Sequence, residues 1–197
     1  ELIYYLSEAA AYGRDILYDQ NGKWNLAIRR TLEAIYQNYT GDRESQDFKN
    51  FEVYLKRVWF SNGIHHHYGC DKFVPEFSQE FFTEAVKSLD PKTLPLTTGA
   101  SVDDLLNTLT PVIFDSSVMP KRVNQAAGED LIVTSAGNYY DGVTQAEAEA
   151  FYNKMKNPKD ETPISYGLNS RLVKRDGKIV EETYKVGGLY TEAIEKI

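Results

Sequence analysis

The stretch Ser45-Gln46-Asp47-Phe48-Lys49-Asn50-Phe51-Glu52-Val53-Tyr54-Leu55-Lys56-Arg57-Val58-Trp59-Phe60-Ser61-Asn62-Gly63 decides the fold class. Phe48, Phe51, Leu55, Val58 and Trp59 recur at helical spacing and line one face, with Phe60 beside it. Ser45 or Asp47 is placed to cap the first turn, and Ser61-Asn62-Gly63 breaks the helix. The same period continues on both sides. Upstream, Trp24, Leu26, Ile28, Leu32, Ile35 and Tyr36 predict a helix between the Asn21-Gly22 turn and Tyr39-Thr40-Gly41, and residues 1–12 predict another that ends near Gly13. Downstream, Phe77–Leu89 is helical with Ser78 as cap. Ser101…Asp104 and Thr144…Glu147 are capping boxes, in which the hydroxyl and the carboxylate satisfy each other's orphan amides. They open helices over Val102–Thr110, with Pro111 at its end, and Ala146–Lys156.

Near the C-terminus the period changes. Leu168–Lys174 and Lys178–Val186 are β-prone and flank Arg175-Asp176-Gly177. Asp-Gly between two such runs predicts a hairpin, because glycine takes the positive φ of a tight turn. Gly187 and Gly188 then release the chain into a last helix carrying Leu189, Ala193, Ile194 and Ile197. Ile64–Val74 is too polar for a core strand, residues 90–100 read as a surface loop, and 115–143 is the least regular part. Within it Leu131–Ser135 reads equally as a short strand or a turn of helix. The expected fold is mainly α (α+β): one multi-helix unit over residues 1–197 with a C-terminal β-hairpin around residues 168–186.

Composition excludes several classes. Among 197 residues, 42% are hydrophobic and 26% charged, enough for a core and too patterned for disorder. A net charge of −7 repels nucleic acid. No apolar run approaches ~20 residues, so no segment is expected to span a membrane. A single cysteine, Cys70, rules out an internal disulfide and a zinc ribbon. The chain opens at Glu1 directly into Leu2, Ile3, Leu6, Ala9 and Ala10, and closes at Ile197 inside another apolar pattern. Both ends therefore read as internal to a longer protein, and the compartment, cytoplasmic or periplasmic, is left open.

All three histidines are adjacent, His65, His66 and His67. Zinc peptidases space two histidines by one helical turn with a glutamate beside the first, and that pattern is absent. Consecutive histidines point in different directions, so the expectation is one or two bonded to backbone carbonyls, the rest in solvent, and no metal ligand. Cys70 follows His67 by three residues, which does not establish contact, and it reads as a part-buried thiol. Glu33, Asp47, Glu52 and Glu84 read as solvated helix faces. Tyr4, Tyr5, Tyr12, Tyr18, Trp24, Tyr36 and Tyr39 crowd the first helices; they could stack on sugars, but most fall on apolar stripes and read as packing.

The run from Phe51 to Tyr68, Phe51-Glu52-Val53-Tyr54-Leu55-Lys56-Arg57-Val58-Trp59-Phe60-Ser61-Asn62-Gly63-Ile64-His65-His66-His67-Tyr68, resembles the dipeptidyl peptidase III family in its bacterial, Bacteroides-like branch. Asp19-Gln20-Asn21 with Leu26–Leu32, Lys72-Phe73-Val74-Pro75, and Ser165-Tyr166-Gly167-Leu168-Asn169-Ser170-Arg171-Leu172 are similar to further family segments. The resemblance covers most of the chain and is weakest over 90–143. It implies a two-lobed zinc exopeptidase that releases dipeptides from peptide N-termini. One lobe holds zinc on an HExxGH helix; the other, with a β-barrel core, binds the extended peptide. This chain matches the early part of the second lobe and contains no HExxGH. Zinc is thus expected in the parent enzyme and no cofactor here, with a peptide substrate and the zinc-binding lobe as partners and no catalytic residue in this chain. Only a substrate-cleft role is carried over, to His67, Tyr68 and Gly69. The alternative is a non-catalytic helical binding module, for example for glycans.

Overall fold

The computed structural model describes residues 1–161, 167 and 169–196. Ser165, Tyr166 and Leu168 of the family-like segment, Leu168 also being the first residue of the expected strand, and Ile197 of the last apolar pattern lie outside them. In chain order the elements are α1 (Leu2–Asn21), α2 (Asn25–Asn38), α3 (Gln46–Ser61), α4 (Gln79–Lys87), a 3-10 turn (Pro91–Thr93), α5 (Val102–Phe114), β1 (Tyr140–Asp141), α6 (Gln145–Asn153), β2 (Ser170–Arg175), β3 (Lys178–Thr183) and α7 (Thr191–Lys196). The fold is mainly α with one small sheet.

The main core is built by α2 to α5. Ile28, Leu32 and Ile35 meet Phe51, Leu55 and Val58, and Phe82, Val86, Leu109 and Ile113 close the far side. Aromatic edges organise it: Phe77 stands edge-on to Phe51, Tyr54, Phe81 and Phe114 at centroid distances of 5.4–6.1 Å. Ser45 caps α3 by accepting from the Phe48 amide, so Asp47 is not the cap. Nor is Asp47 merely solvated: its carboxylate accepts from the amide and hydroxyl of Ser78, the cap of α4, and ties the starts of the two helices. Both capping boxes form, Ser101 with Asp104 and Thr144 with Glu147.

Four further expectations are corrected. The first helix does not end near Gly13 but runs on to Asn21. A mid-helix glycine costs about 1 kcal/mol, and the second half of α1 offsets it by burying Tyr18, whose hydroxyl donates to the Val58 carbonyl at 3.3 Å. Pro111 lies inside α5, not at its end. Asn107 and Pro111 are both exposed, so the bond a proline omits falls on the open face, while buried Val112 and Ile113 anchor the last turn. Trp59 is at the rim of the core, where its indole N–H donates to Glu33 Oε1 at 2.8 Å. Glu33 in turn is no idle surface group, since it also pairs with buried Arg29 at 3.7 Å.

A second, smaller core joins Val143, Ala148 and Leu172, flanked by Ile132, Phe151, Tyr152 and Ile179. The sheet order is β1-β2-β3, with β1 parallel to β2 (Tyr140 beside Leu172) and β2 antiparallel to β3 (Arg175 beside Lys178). The expected hairpin forms, turning at Asp176 and Gly177 with φ of 48° and 75°. Leu131–Ser135 resolves as turns: Asp130 accepts from the amides of Ile132 and Val133, as a helix cap would. No helix among the described residues is long and apolar enough to cross a membrane.

Candidate functional site: the loop after helix α3

Helix α3 stops because Asn62 takes the left-handed conformation (φ 52°, ψ 43°) and Gly63 follows at φ 150°. The Gly63 amide returns to the Val58 carbonyl at 3.1 Å, a Schellman-type closure. Asn25 closes over this turn, its Oδ1 accepting from the Ile64 amide at 3.4 Å, and Asn21 Nδ2 donates to the Asn62 carbonyl at 3.1 Å. Gly63, Ile64 and His65 are thereby buried. Exposure in the loop is confined to its tip, His66 to Gly69, because its stem is tied to α2 through Asn25 and to the 115–122 segment through Met119.

The three histidines do three different things. His65 is 2% exposed and its Nε2 donates to the Met119 carbonyl at 2.8 Å, as expected of a backbone-satisfied imidazole. Burial, reinforced by the charges of Lys72 and Arg122, lowers its pKa against the opposing effect of that hydrogen bond, so it is neutral. His66 Nδ1 accepts from the amides of Tyr68 and Gly69 at 3.3 and 3.2 Å, which puts the ring proton on Nε2. His67 is exposed and its ring meets Phe60 and Tyr68 edge-on at 6.4 and 4.9 Å.

Tyr68 is 84% exposed and stands at the apex. Gly69 contributes its amide to His66, and a Cβ there would make only ordinary contact, 3.5 Å from Asp71. Cys70 is held at φ 63°, a strained setting for a residue with a side chain. It persists because both sides are fixed: the Cys70 amide donates to the His66 carbonyl and the Arg122 amide donates to the Cys70 carbonyl. The Arg122 guanidinium then reaches the His67 carbonyl at 3.3 Å and Cys70 Sγ at 3.5 Å.

The frame extends to Lys72. Its ammonium donates to the carbonyls of Val112 and Val118, at 3.0 and 2.6 Å, and to that of Asp115. These are carbonyls at and beyond the end of α5, where a cation satisfies orphan acceptors and the helix dipole together. Burial lowers the Lys72 pKa, partly opposed by Asp115. Lys72 and Arg122 escaped the sequence reading. Their partners lie about 40 and 50 residues away, and no local spacing announces such pairs.

The site offers a phenol, an imidazole and main-chain groups on a rigid base. It has no nucleophile–base pair, since Cys70 Sγ meets Arg122 and the Tyr68 carbonyl rather than an imidazole. It also does not fit zinc. His65 has its Nε2 committed and is buried, His66 has its Nδ1 committed, and no group of three or more His, Cys, Asp or Glu converges among the described residues. His67, Tyr68 and Gly69 do lie together at the exposed tip, with His66 beneath them. Comparison with protein-family models and with curated proteins finds no match for this chain.

Proposed function

We propose that this chain forms a wall of the peptide-binding cleft in a two-lobed zinc exopeptidase similar to dipeptidyl peptidase III, with the zinc and the general base supplied from the other lobe. The observation that carries the reading is the tip itself: Tyr68 stands almost fully in solvent on a loop whose stem is buried and whose turn is braced by His66, Arg122 and Lys72. An aromatic ring left this open to solvent, on a braced base, is suited to contacting an extended peptide. The long family-like run from Phe51 to Tyr68 supports the same reading. The glycan-binding alternative has less support. Tyr18 is buried, and Tyr36 and Tyr39 are taken up in ring contacts with Trp59, Phe48 and Phe81, so of the aromatics on the first helices Tyr4 alone is largely open among the described side chains.

The test is kinetic. In the full-length enzyme Tyr68→Ala raises KM or lowers kcat/KM by about tenfold, the usual scale for one aromatic anchor, at unchanged zinc content and melting temperature. Unchanged kinetics would remove Tyr68 from the cleft. The 197-residue chain alone does not hydrolyse dipeptidyl arylamides with added zinc, because a zinc hydrolase needs about three ligands and a base. Chelator-sensitive turnover by this chain would overturn the assignment of zinc to another lobe.

A further inference from the structure

Beside the tip, α3 and the loop enclose a groove of about 410 Å³. Val53, Phe60 and Phe73 give it apolar walls, and His66 and His67 line it too. Those walls are continuous: Phe60 meets His67 at 6.4 Å and Phe73 meets His66 at 6.0 Å, both edge-on. Phe60 is 76% exposed, the most open aromatic of α3. The charged side chains lining the groove are two cations, Lys56 and Arg57. Their carboxylate partners, Glu52 and Glu76, stand outside the lining at 3.5 Å. Pairs this long and exposed are weak and exchange readily for another anion.

We infer that this groove binds the C-terminal residue of a short peptide, its aromatic or large aliphatic side chain against Phe60 and Phe73 and its carboxylate between Lys56 and Arg57. The inference rests on the peptide-cleft reading and adds to it a direction and a preference. The volume lies near the lower end of ligand sites, about 300–1,000 Å³, which suits one residue rather than a length of chain. Lys56 and Arg57 can trade Glu52 and Glu76 for a peptide carboxylate, whereas an α-ammonium meets no carboxylate in the lining. His66, whose ring proton sits on Nε2, also lines the groove and adds a donor. Aromatic anchoring and carboxylate capture are two of the ways short peptides gain affinity without a long interface.

The experiment is an NMR titration of the isotope-labelled chain with Gly-Gly-Gly-Phe as the free acid, the same peptide as its C-terminal amide, and Gly-Gly-Gly-Lys as the free acid. The expected result is movement of the Phe60, His66 and Phe73 ring signals, with a Kd for the Phe acid about tenfold lower than for its amide or for the Lys peptide. Lys56→Gln with Arg57→Gln brings the acid-to-amide ratio to about one. Phe60→Ala, at an exposed position, weakens acid and amide alike. Equal Kd for acid and amide in the parent chain, or shifts confined to other surfaces, would overturn the proposal. That failure leaves the Tyr68→Ala kinetics of the full-length enzyme untouched. Groove binding alongside kinetically silent Tyr68→Ala would instead keep the groove and sink the cleft assignment.

Discussion

At the scale of single residues, two glycines of one loop have opposite meanings. Gly63 sits at φ 150° with its pro-Cβ position 2.3 Å from Asn25 Nδ2, inside a buried turn. Gly69 has ordinary φ and room beside it. Gly63→Ala is therefore expected to cost about 2 kcal/mol or more by urea unfolding, and Gly69→Ala less than about 0.5; equal effects would refute this account of the turn. His65 gives a second test, through pH. Its imidazole is held neutral in the fold, so the unfolded chain binds protons more readily below the free-histidine pKa of about 6.5. The stabilisation is complete above that value, falls as the pH drops through it at no more than about 1.4 kcal/mol per unit, and levels off below the lowered folded pKa. His65→Gln, which keeps a donor for the Met119 carbonyl, should flatten that slope between pH 7.5 and 5.5. A slope that survives the substitution belongs to other groups.

At the scale of elements, what the sequence made legible was local. The caps at Ser78, Ser101 and Thr144 and the Asp176-Gly177 turn each rest on chemistry within four residues and formed as read, and of the two cap candidates for α3, Ser45 and Asp47, Ser45 is the one that forms. What failed was decided from far away. Helix α1 passes Gly13 because Tyr18 finds α3, and α5 passes Pro111 because Val112 and Ile113 are buried and Lys72 donates to the Val112 carbonyl in its last turn. The candidate site divides in the same manner. Tyr68 and its neighbours were visible as an aromatic, glycine-bearing loop between helices, whereas Arg122 and Met119, which hold that loop, come from the irregular 115–143 segment. The hairpin supplies the element-level prediction. Gly177 has φ 75° and nothing within 4 Å of where a Cβ would stand, so Gly177→Val suffers from backbone conformation alone. It should lower stability by roughly 1 kcal/mol or more. A neutral result would mean that the turn re-forms with a different type, readable in the amide shifts of Arg175 to Lys178.

At the scale of the whole molecule, the two cores differ in size. The larger holds Ile28, Leu32, Phe51, Leu55, Val58, Phe82 and Val86 at no exposure at all, whereas the smaller is centred on Val143, Ala148 and Leu172. Where the second unit meets α1, the Asn138 amide donates to the Gln20 carbonyl and the Tyr190 hydroxyl donates to Asp19. Burial and the negative charge of Asp19 push the Tyr190 pKa far up, so the phenol stays protonated and the bond is kept at ordinary pH. Regions that bury little apolar surface open at lower free energy than the body that carries them. Native-state hydrogen exchange should thus find the amides of β2 and β3 opening well before those of α3, as a separate cooperative unit. Tyr190→Phe leaves the ring contact with Tyr184 but removes one hydrogen bond to α1. It should raise exchange in β2, β3 and α7 several-fold while α3 is unchanged, because the lost bond lies between the units and outside the larger core. If α3 exchanges at the same free energy as the hairpin, and Tyr190→Phe speeds both together, the chain unfolds as one body and the small sheet is an integral part of the frame beneath the loop. If α3 alone is unaffected, the loop at its C-terminal end keeps its geometry when the sheet opens, and the candidate site depends on α2, α3, α5 and the 115–122 segment.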